Sequence, residues 1–210
     1  MSLQLKMFNP GMIAANSYII KDIESGEAAV VDCGMFGNRF EAVLNSMGIE
    51  KIKYILLTHG HFDHIMGVQK LKRKFGGEIV IHEEDADCLY DSKKSLSAGW
   101  GFMCPAFECD KTVKEGDTLF LGNEKIEVIH TPGHTVGSVC YKTDKILFSG
   151  DTLFHMTCGR TDFPGGSMEE MMKSMKKLYA LEGEYRVCPG HESESTLSFE
   201  KSNNPCMKGI

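Results

Sequence analysis

The chain has 210 residues, of which 42% are hydrophobic and 25% are charged, and its formal net charge at pH 7 is −6. This composition excludes an intrinsically disordered chain, and the acidic balance argues against a nucleic-acid-binding protein. The sequence contains no run of 18 or more apolar residues, so no transmembrane helix is expected. The N-terminus lacks the basic and apolar segments of a secretory signal. We therefore expect a single domain over residues 1–210 that lies in the cytoplasm, with neither a nucleic acid nor a membrane as partner.

Short apolar runs and helical patterns alternate along the N-terminal half. Apolar runs predict strands, whereas apolar residues three or four positions apart predict helices. The predicted strands of this half are residues 17–21, 28–32, 53–58 and 78–82. The predicted helices are residues 40–47, 65–75 and 83–90. Gly48 and Gly76 follow the first two helices, as is typical of a helix C-terminus.

An irregular segment separates the two halves. Residues 91–111 have no steady period and contain two glycines and a proline, so we predict a mobile insert or lid there. The strands predicted after it are residues 118–121, 125–130, 139–142, 145–148 and 185–188, the first four forming two hairpins. A helix is predicted to begin at Ser167, because Glu170 follows three residues later in the pattern of a capping box. This alternation implies layered sheets and helices.

Eight cysteines are spread over the chain, and no two of them form a C-x-x-C pair. A zinc ribbon or a thioredoxin-like site is therefore not supported. A chain of this length with an apolar core does not need a disulfide scaffold. We expect mostly reduced thiols that pack as small apolar side chains, in keeping with a cytoplasmic location.

A histidine-rich motif, HGHFDH, follows the predicted strand 53–58. Imidazole and carboxylate groups together suit zinc, manganese or iron. On an extended loop His59 and His61 point the same way, whereas Asp63 and His64 stand where the chain turns into a helix and can face a second point. Three imidazoles and a carboxylate within six residues favour a metal site over the alternative, a solvated polar loop.

Four further polar residues follow predicted strands: Asp32, His134, Asp151 and His191. Glycines nearby allow tight turns and the close approach of a ligand. Loops at strand ends are the usual place for functional sites in layered folds. Each residue alone is more typical of a turn, but in combination with the motif they predict one shared site.

Together these residues resemble the metallo-β-lactamase superfamily, in the order His-x-His-x-Asp-His followed by His134, Asp151 and His191. Residues 150–154 and 159–167, with the Pro-Gly-His sequence that ends at His191, are similar to the short, single-domain members of its glyoxalase II-like, or hydroxyacylglutathione hydrolase-like, branch. The resemblance implies a layered α/β fold, the four-layer αβ/βα sandwich of the metallo-β-lactamase type.

The resemblance also implies two divalent metal ions, with zinc favoured and iron or manganese as alternatives. The ligands of one ion would be His59, His61 and His134. The ligands of the other would be Asp63, His64 and His191. Asp151 would bridge both ions. Asp32 would orient the ligand loop from behind, as supporting carboxylates often do. For Arg160 the sequence leaves two roles open, bracing of the Asp151 loop, which we favour, and steering of an anionic substrate.

The chemistry implied by this arrangement is hydrolysis of a small-molecule thioester, such as an S-2-hydroxyacylglutathione. A hydroxide that bridges the two ions would attack the carbonyl, with Asp63 and Asp151 as the catalytic carboxylates. We expect the enzyme to be a monomer or a small homo-oligomer. The acyl group and the thiol carrier stay open.

Other activities fit the same motif. A persulfide dioxygenase would use one iron held by His59, His134 and Asp151. A lactone hydrolase is a close variant of the thioesterase. A β-lactamase is disfavoured because the sequence shows no export signal. A nuclease is disfavoured by the acidic net charge. A non-catalytic metal- or partner-binding domain is disfavoured because the set of metal ligands is complete.

Two groups of residues remain outside the motif. The aromatic residues of the irregular segment either line an apolar substrate pocket or pack on the core; they are Trp100, Phe102 and Phe107. The remaining histidines are expected to be satisfied or exposed side chains and not ligands; they are His82, His130 and His155.

Overall fold

The computed structural model describes residues 3–11, 13–102 and 104–208. Two six-stranded sheets dominate it. The first, in chain order, contains β1 (Leu3–Phe8), β2 (Ser17–Asp22), β3 (Ala28–Val31), β4 (Tyr54–Leu56), β5 (Glu78–His82) and β6 (Lys111–Val113). The second has the order β14-β13-β10-β9-β8-β7 and contains β7 (Thr118–Leu121), β8 (Glu124–His130), β9 (Val139–Lys142), β10 (Ile146–Gly150), β13 (Arg186–Pro189) and β14 (Ser195–Thr196). A small hairpin is formed by β11 (Leu153–Phe154) and β12 (Thr157–Cys158).

Helices cover the outer faces of both sheets. The α-helices are α1 (Asn38–Ser46), α2 (Phe62–Ile65), α3 (Val68–Phe75), α4 (Met168–Tyr179) and α5 (Leu197–Asn203). Two 3-10 helices span Glu83–Leu89 and Pro205–Met207. Within the described ranges, no helix is long and apolar enough to cross a membrane.

Strands β3 and β10, in the interior of the two sheets, are buried on both faces, because each sheet lies between the other sheet and a layer of helices. Side chains alternate between the two faces, so Ile55 of β4 and Ile79 of β5 pack against α1 and α3, whereas Leu56 and Val80 pack against the second sheet. A third apolar layer joins the second sheet to α4 and α5. This is the predicted four-layer αβ/βα sandwich, which is confirmed.

Most predicted elements are present, with ends within one to three residues of those expected. Both predicted hairpins form, as the pairing of β7 with β8 and of β9 with β10 shows. The predicted capping box also forms, since Ser167 Oγ accepts a hydrogen bond from Glu170 N at 3.3 Å. The strands that the sequence analysis missed, β1, β6, β11, β12 and β14, are edge strands of the large sheets or belong to the small hairpin.

Two predicted helices differ from expectation. The helix predicted over residues 65–75 is interrupted at Gly67, which donates its backbone N–H to Cys33 O at 2.8 Å. A Cβ at this position would lie only 2.7 Å from Cys33 Sγ, so the break lets the chain pack against the loop after β3. The helix predicted over residues 83–90 is a 3-10 helix. The described part of residues 91–110 contains no regular helix or strand, and its mobility stays a prediction.

Candidate metal centre

The predicted site residues meet at one edge of the sandwich, where five loops begin. Strands β3 and β4 are parallel neighbours, as are β10 and β13, so their carboxyl ends face the same way. Asp32 follows β3, the motif at residues 59–64 follows β4, and His134 follows β8. Asp151 follows β10 and His191 follows β13. Residues far apart in the chain are thus brought together by strand direction alone.

The first group of ligand atoms belongs to His59, His61 and His134, all buried. His59 Nε2 lies 3.1 Å from His61 Nδ1, and His61 Nδ1 lies 2.8 Å from His134 Nε2. Imidazole nitrogens bind zinc at about 2.0–2.1 Å, so two of them on one tetrahedral ion would be separated by about 3.3 Å. The three nitrogens therefore converge on one point at a spacing close to that of a metal site.

The second group consists of Asp63, His64 and His191. His191 Nε2 lies 3.1 Å from Asp63 Oδ2, and His64 Nε2 lies 3.9 Å from the same oxygen. Here too the ligand atoms of the three residues face a common point. His191 enters this group because Gly190 lets the loop approach closely: a Cβ on Gly190 would lie 2.3 Å from Asp151 Oδ1.

Asp151 lies between the two groups. Its Oδ1 is 3.3 Å from His64 Nε2, and its Oδ2 is 3.5 Å from His134 Nε2 and 3.6 Å from His191 Nε2. Among the described residues, neither His64 Nε2 nor Asp151 Oδ1 has a hydrogen-bond partner, although both atoms are fully buried. A buried polar atom without a partner costs about 1–3 kcal/mol, and a cation at this point would satisfy both atoms.

The protonation states of His59, His61 and Asp151 suit cation binding, whereas the neighbouring carboxylates outweigh burial and raise the pKa of His64 and of His191. Burial and the neighbouring imidazoles lower the pKa of His59 well below its usual value and the pKa of His61 to about 3. Burial raises the pKa of Asp151, but the imidazoles around it outweigh this and hold its pKa well below the usual range. At neutral pH these two histidines are neutral and the aspartate is ionised, as metal ligands must be. A mixed set of imidazole and carboxylate donors fits a divalent transition metal.

Asp32 supports the site from behind, in the place that the sequence analysis predicted. Its Oδ1 accepts from Thr58 N at 2.9 Å, and its Oδ2 accepts from Thr58 Oγ1 at 2.7 Å and lies 2.8 Å from His64 Nδ1. Asp32 has φ 55°, a left-handed conformation that is rare for residues other than glycine. Its three hydrogen bonds hold this conformation and turn His64 Nε2 toward Asp151.

We expect Asp32→Asn to weaken metal binding about 10- to 100-fold, the usual effect of losing a partner of a ligating histidine. The amide nitrogen that replaces one carboxylate oxygen faces donors at Thr58 or at His64, so one of them loses its acceptor. Competition for metal with a chromophoric chelator measures the affinity. Asp87→Asn, at an exposed carboxylate, is the control, and equal affinities of the two variants would contradict the role of Asp32.

Asp85 is a supporting residue that the sequence analysis missed. It is buried, and it accepts from Gly60 N at 3.0 Å, from Thr135 Oγ1 at 2.7 Å and from Gly137 N at 2.8 Å. The carboxylate thereby joins the loop that carries His59 to the loop that follows His134. Nothing in the local sequence reveals it, since Asp85 lies in a run of acidic residues that is typical of an exposed helix start.

We expect Asp85→Asn to lower the free energy of unfolding by about 1–3 kcal/mol, because an amide cannot accept all three of these buried hydrogen bonds. Urea unfolding followed by circular dichroism measures the loss. The control, Asp87→Asn, changes an exposed carboxylate two residues away and should stay within about 0.5 kcal/mol of the unmodified chain. A similarly small change in Asp85→Asn would show that its hydrogen bonds are dispensable.

The Arg160 side chain pairs with a neighbouring carboxylate and not with Asp151 itself, so bracing of the Asp151 loop stays a prediction. The guanidinium donates two hydrogen bonds of 2.7 Å to Asp162 and lies 4.0 Å from the centre of the Phe163 ring. The planar guanidinium of Arg160 thus binds the Asp162 carboxylate through two parallel hydrogen bonds, the favoured geometry for this pair. The backbone of Arg160 does contact the site, because its carbonyl oxygen lies 2.7 Å from His134 Nδ1. That contact orients the His134 ring.

The remaining histidines lie outside these groups. The rings of His82 and His130 stack with centroids 4.1 Å apart and planes 11° apart. Together with Glu84 they place ligand atoms near one another, but stacked parallel rings cannot both point their nitrogen lone pairs at one ion. His155 Nδ1 lies 3.2 Å from Glu200 Oε1.

A cavity of about 440 Å³ opens beside the centre. Its lining includes residues of both ligand groups as well as Trp100 and Arg160. Of the other two aromatic residues that the sequence analysis singled out, Phe102 stacks on Phe62, which also lines the cavity, and Phe107 packs against the core between the first sheet and its helices. Both expected roles are thus present: Trp100 lines the cavity and Phe102 stacks on a ring that lines it, whereas Phe107 packs on the core.

Comparison with known proteins agrees with this architecture. A family model described as the metallo-beta-lactamase superfamily matches residues 10–191. The chain belongs to the metallo-β-lactamase superfamily. It is 35% identical, over 91% of its own length and 92% of the relative's, to hydroxyacylglutathione hydrolase GloC of Haemophilus influenzae.

Two solved structures share its fold over nearly the whole chain. BLEG-1, a B3 metallo-beta-lactamase, is 31% identical with a TM-score of 0.87, covering 98% of this chain and 100% of the other. TTHA1623, solved in a di-iron-bound form, is 29% identical with a TM-score of 0.82, covering 96% and 98% of the two chains. Membership of a superfamily of metal-dependent hydrolases agrees with the histidine-rich centre found here.

Proposed function

We propose that this superfamily member is a hydrolase of small-molecule thioesters, of the hydroxyacylglutathione hydrolase type, with two divalent metal ions. The observation that carries the proposal is the position of Asp151 between two groups of ligand atoms, at the wall of an open cavity. The likeness to GloC supports the glyoxalase II-like branch. Zinc is the metal we favour, and the di-iron form of TTHA1623 supports iron as the alternative.

In this proposal the histidines hold the metal ions and two aspartates serve the reaction. Divalent cations at these points would polarise a carbonyl oxygen and lower the pKa of a water molecule from about 15.7 to about 7. Asp151 keeps the two groups at a fixed separation. Asp63 would share the proton of the water as well as bind the second ion, and direct coordination would make it a weak base.

The side chains around the cavity favour water as the nucleophile. Cys158 lines the cavity, but burial raises the pKa of its thiol to about 12, so it carries almost no thiolate at neutral pH. Direct attack on a thioester by this residue would be slow for that reason. Attack by a water molecule, without a covalent acyl-enzyme, is therefore the mechanism that these side chains favour.

The test is elemental analysis of the chain purified without added metal, combined with an assay of thiol release from S-lactoylglutathione. We expect two metal ions per chain and metal-dependent release of thiol. About one iron per chain, with oxygen uptake on glutathione persulfide, would overturn the proposal in favour of a persulfide dioxygenase. Two metal ions per chain together with hydrolysis of lactones only would support a metal-dependent hydrolase but reject thioesters as its substrates.

A further inference from the structure

One wall of the cavity is apolar, and much of it comes from the irregular segment after the 3-10 helix Glu83–Leu89. Leu96 and Trp100 line the cavity together with Phe62. The Phe62 ring stacks on Phe102, with centroids 5.1 Å apart and planes 18° apart, and its centroid lies 6.2 Å from that of Trp100. We call these four residues the aromatic wall.

The aromatic wall is built into the fold at the metal loop. Phe62 N donates to Ser95 O at 2.9 Å, and Ser95 and Ser97 are buried, with their hydroxyls 3.1 Å apart. Between them, Leu96 has φ 64°, a left-handed conformation that side chains with a Cβ rarely adopt. Strain of this kind, held in place by its neighbours, is found where a protein positions a ligand. The anchored serines hold Leu96 at the cavity.

The wall also presents apolar surface to water. Trp100 is 56% exposed and Phe102 is 38% exposed, although both stand beside the buried Phe62. Contiguous exposed apolar surface of this kind is unfavourable in water and marks a binding site for an apolar group. A ring placed between Trp100 and Leu96 would cover it.

The charges around the cavity do not favour a highly charged group at this wall. Among the described residues that line it, the cationic side chain is Arg160, whose guanidinium is engaged by Asp162. Glu192 adds a carboxylate to the lining. At this wall a charged group finds no unpaired cationic side chain, whereas an aryl or alkyl group finds an apolar surface.

We propose that the aromatic wall binds an apolar, ring-containing acyl group of the substrate. The inference rests on the proposed thioester hydrolysis and specifies which acyl group the site selects. Phe62 lies in sequence between His61 of the first ligand group and Asp63 of the second, so the wall begins directly at the reaction centre. The acyl side chain and the carrier sulfur are both bonded to the reacting carbonyl carbon, so a group on either side is close enough to contact this wall. An uncharged acyl side chain fits the apolar wall better than glutathione does, because glutathione carries carboxylates and the wall offers no unpaired cationic side chain.

The kinetic test compares two thioesters of one carrier, S-mandeloylglutathione with a phenyl group and S-lactoylglutathione with a methyl group. We expect kcat/KM to be at least about tenfold higher for the mandeloyl ester, the discrimination that an apolar pocket achieves for several carbon atoms. Trp100→Ala should remove most of this preference, measured as the ratio of the two kcat/KM values. Phe120→Ala, which removes an aromatic ring of similar exposure on β7, should keep it.

A binding test separates this inference from the proposed function, because Trp100 is the only tryptophan in the sequence. Its fluorescence reports on two thioethers that cannot be hydrolysed, S-benzylglutathione and S-methylglutathione, added to the metal-loaded chain. We expect the benzyl compound to change the emission with at least about tenfold tighter binding. If binding shows this preference while neither thioester is hydrolysed, the proposed function fails and the apolar site stands. If both thioesters react equally well and binding shows no preference, the inference is overturned.

A second inference rests on a separate observation, a contact between two thiols. Cys158 Sγ lies 2.8 Å from Cys206 Sγ, and both residues are half-buried free cysteines. This separation exceeds the S–S bond length of about 2.05 Å by less than 1 Å. Cys158 lines the cavity, and Cys206 lies in the 3-10 helix Pro205–Met207.

We infer that Cys158 and Cys206 form a disulfide when a small disulfide oxidant such as oxidised glutathione is present. One cysteine loses its proton and attacks the oxidant, which releases one molecule of thiol and leaves a mixed disulfide. The second cysteine then loses its proton and displaces the other molecule of thiol, so that two protein thiols are oxidised and one disulfide is reduced to two thiols. The bond would tie the cavity wall to the C-terminal helix.

The test treats the chain with oxidised glutathione and counts thiols under denaturing conditions. We expect the count to fall from eight to six, peptide mapping to find residues 158 and 206 joined, and Tm to rise by roughly 5–10 °C. Cys206→Ser should abolish the bond and the rise in Tm, whereas Cys109→Ser, at another half-buried thiol, should preserve both. Eight remaining thiols, or a disulfide between other cysteines, would overturn the inference.

Discussion

Asp151→Asn is expected to lower kcat/KM for thioester hydrolysis by about 10³-fold, the largest effect of any single conservative substitution in this chain. Asp151 is the carboxylate whose oxygens lie within 3.6 Å of imidazole nitrogens from both ligand groups. An amide offers one neutral oxygen where the carboxylate offers two charged ones, so one group loses its shared ligand. A loss of about 4 kcal/mol in stabilisation corresponds to this factor.

Steady-state kinetics and elemental analysis on the same preparation check this expectation. We expect the metal content of the variant to fall together with its activity, because the two groups share Asp151. Asp144→Asn, which neutralises an exposed aspartate in the turn between β9 and β10, is the matched control and should keep both. If Asp151→Asn retained full metal content and more than about a tenth of the activity, the bridging role would have to be given up.

The residues of the centre were predictable because they obey local rules. The motif at residues 59–64 places four donors in one loop, and His134, Asp151 and His191 each follow an apolar strand with a glycine beside them. Strand direction then brings the loop ends to one edge. The layered fold was predictable for a related reason, since short apolar runs alternate with helical patterns, and the family resemblance then implied the four-layer sandwich.

The features that sequence reasoning missed depend on contacts between distant parts of the chain. Asp85 acts on backbone groups 25 and 52 residues away, and no local pattern marks it. The break at Gly67 depends on the loop at Cys33. Arg160 is a different case, because its carboxylate partner, Asp162, lies only two residues away. For Asp85 and Gly67 tertiary packing decides between local alternatives.

Removing bound metal with a chelator is expected to lower Tm by roughly 8–16 °C. Without a cation, His64 Nε2 and Asp151 Oδ1 remain buried with no hydrogen-bond partner among the described residues, and five imidazoles and two carboxylates crowd one edge of the sandwich. A ligand present at 1,000 times its dissociation constant adds about 4.1 kcal/mol to the stability of the folded state. For a chain of this size, each kcal/mol shifts Tm by about 2–4 °C.

Differential scanning calorimetry with and without chelator measures this shift, and two variants assign it to the centre. In Asp151→Asn the decrease in Tm on adding chelator should be less than half as large, because the weakened site binds metal less tightly and bound metal therefore adds less stability. In Asp144→Asn the shift should equal that of the unmodified chain, since the exposed turn takes no part in binding. Equal Tm values with and without chelator, in a chain shown to contain metal beforehand, would mean that the ligand atoms are held in place by the protein alone. The hydrogen bonds of Asp32 and Asp85 behind the loops would then be sufficient to position the centre.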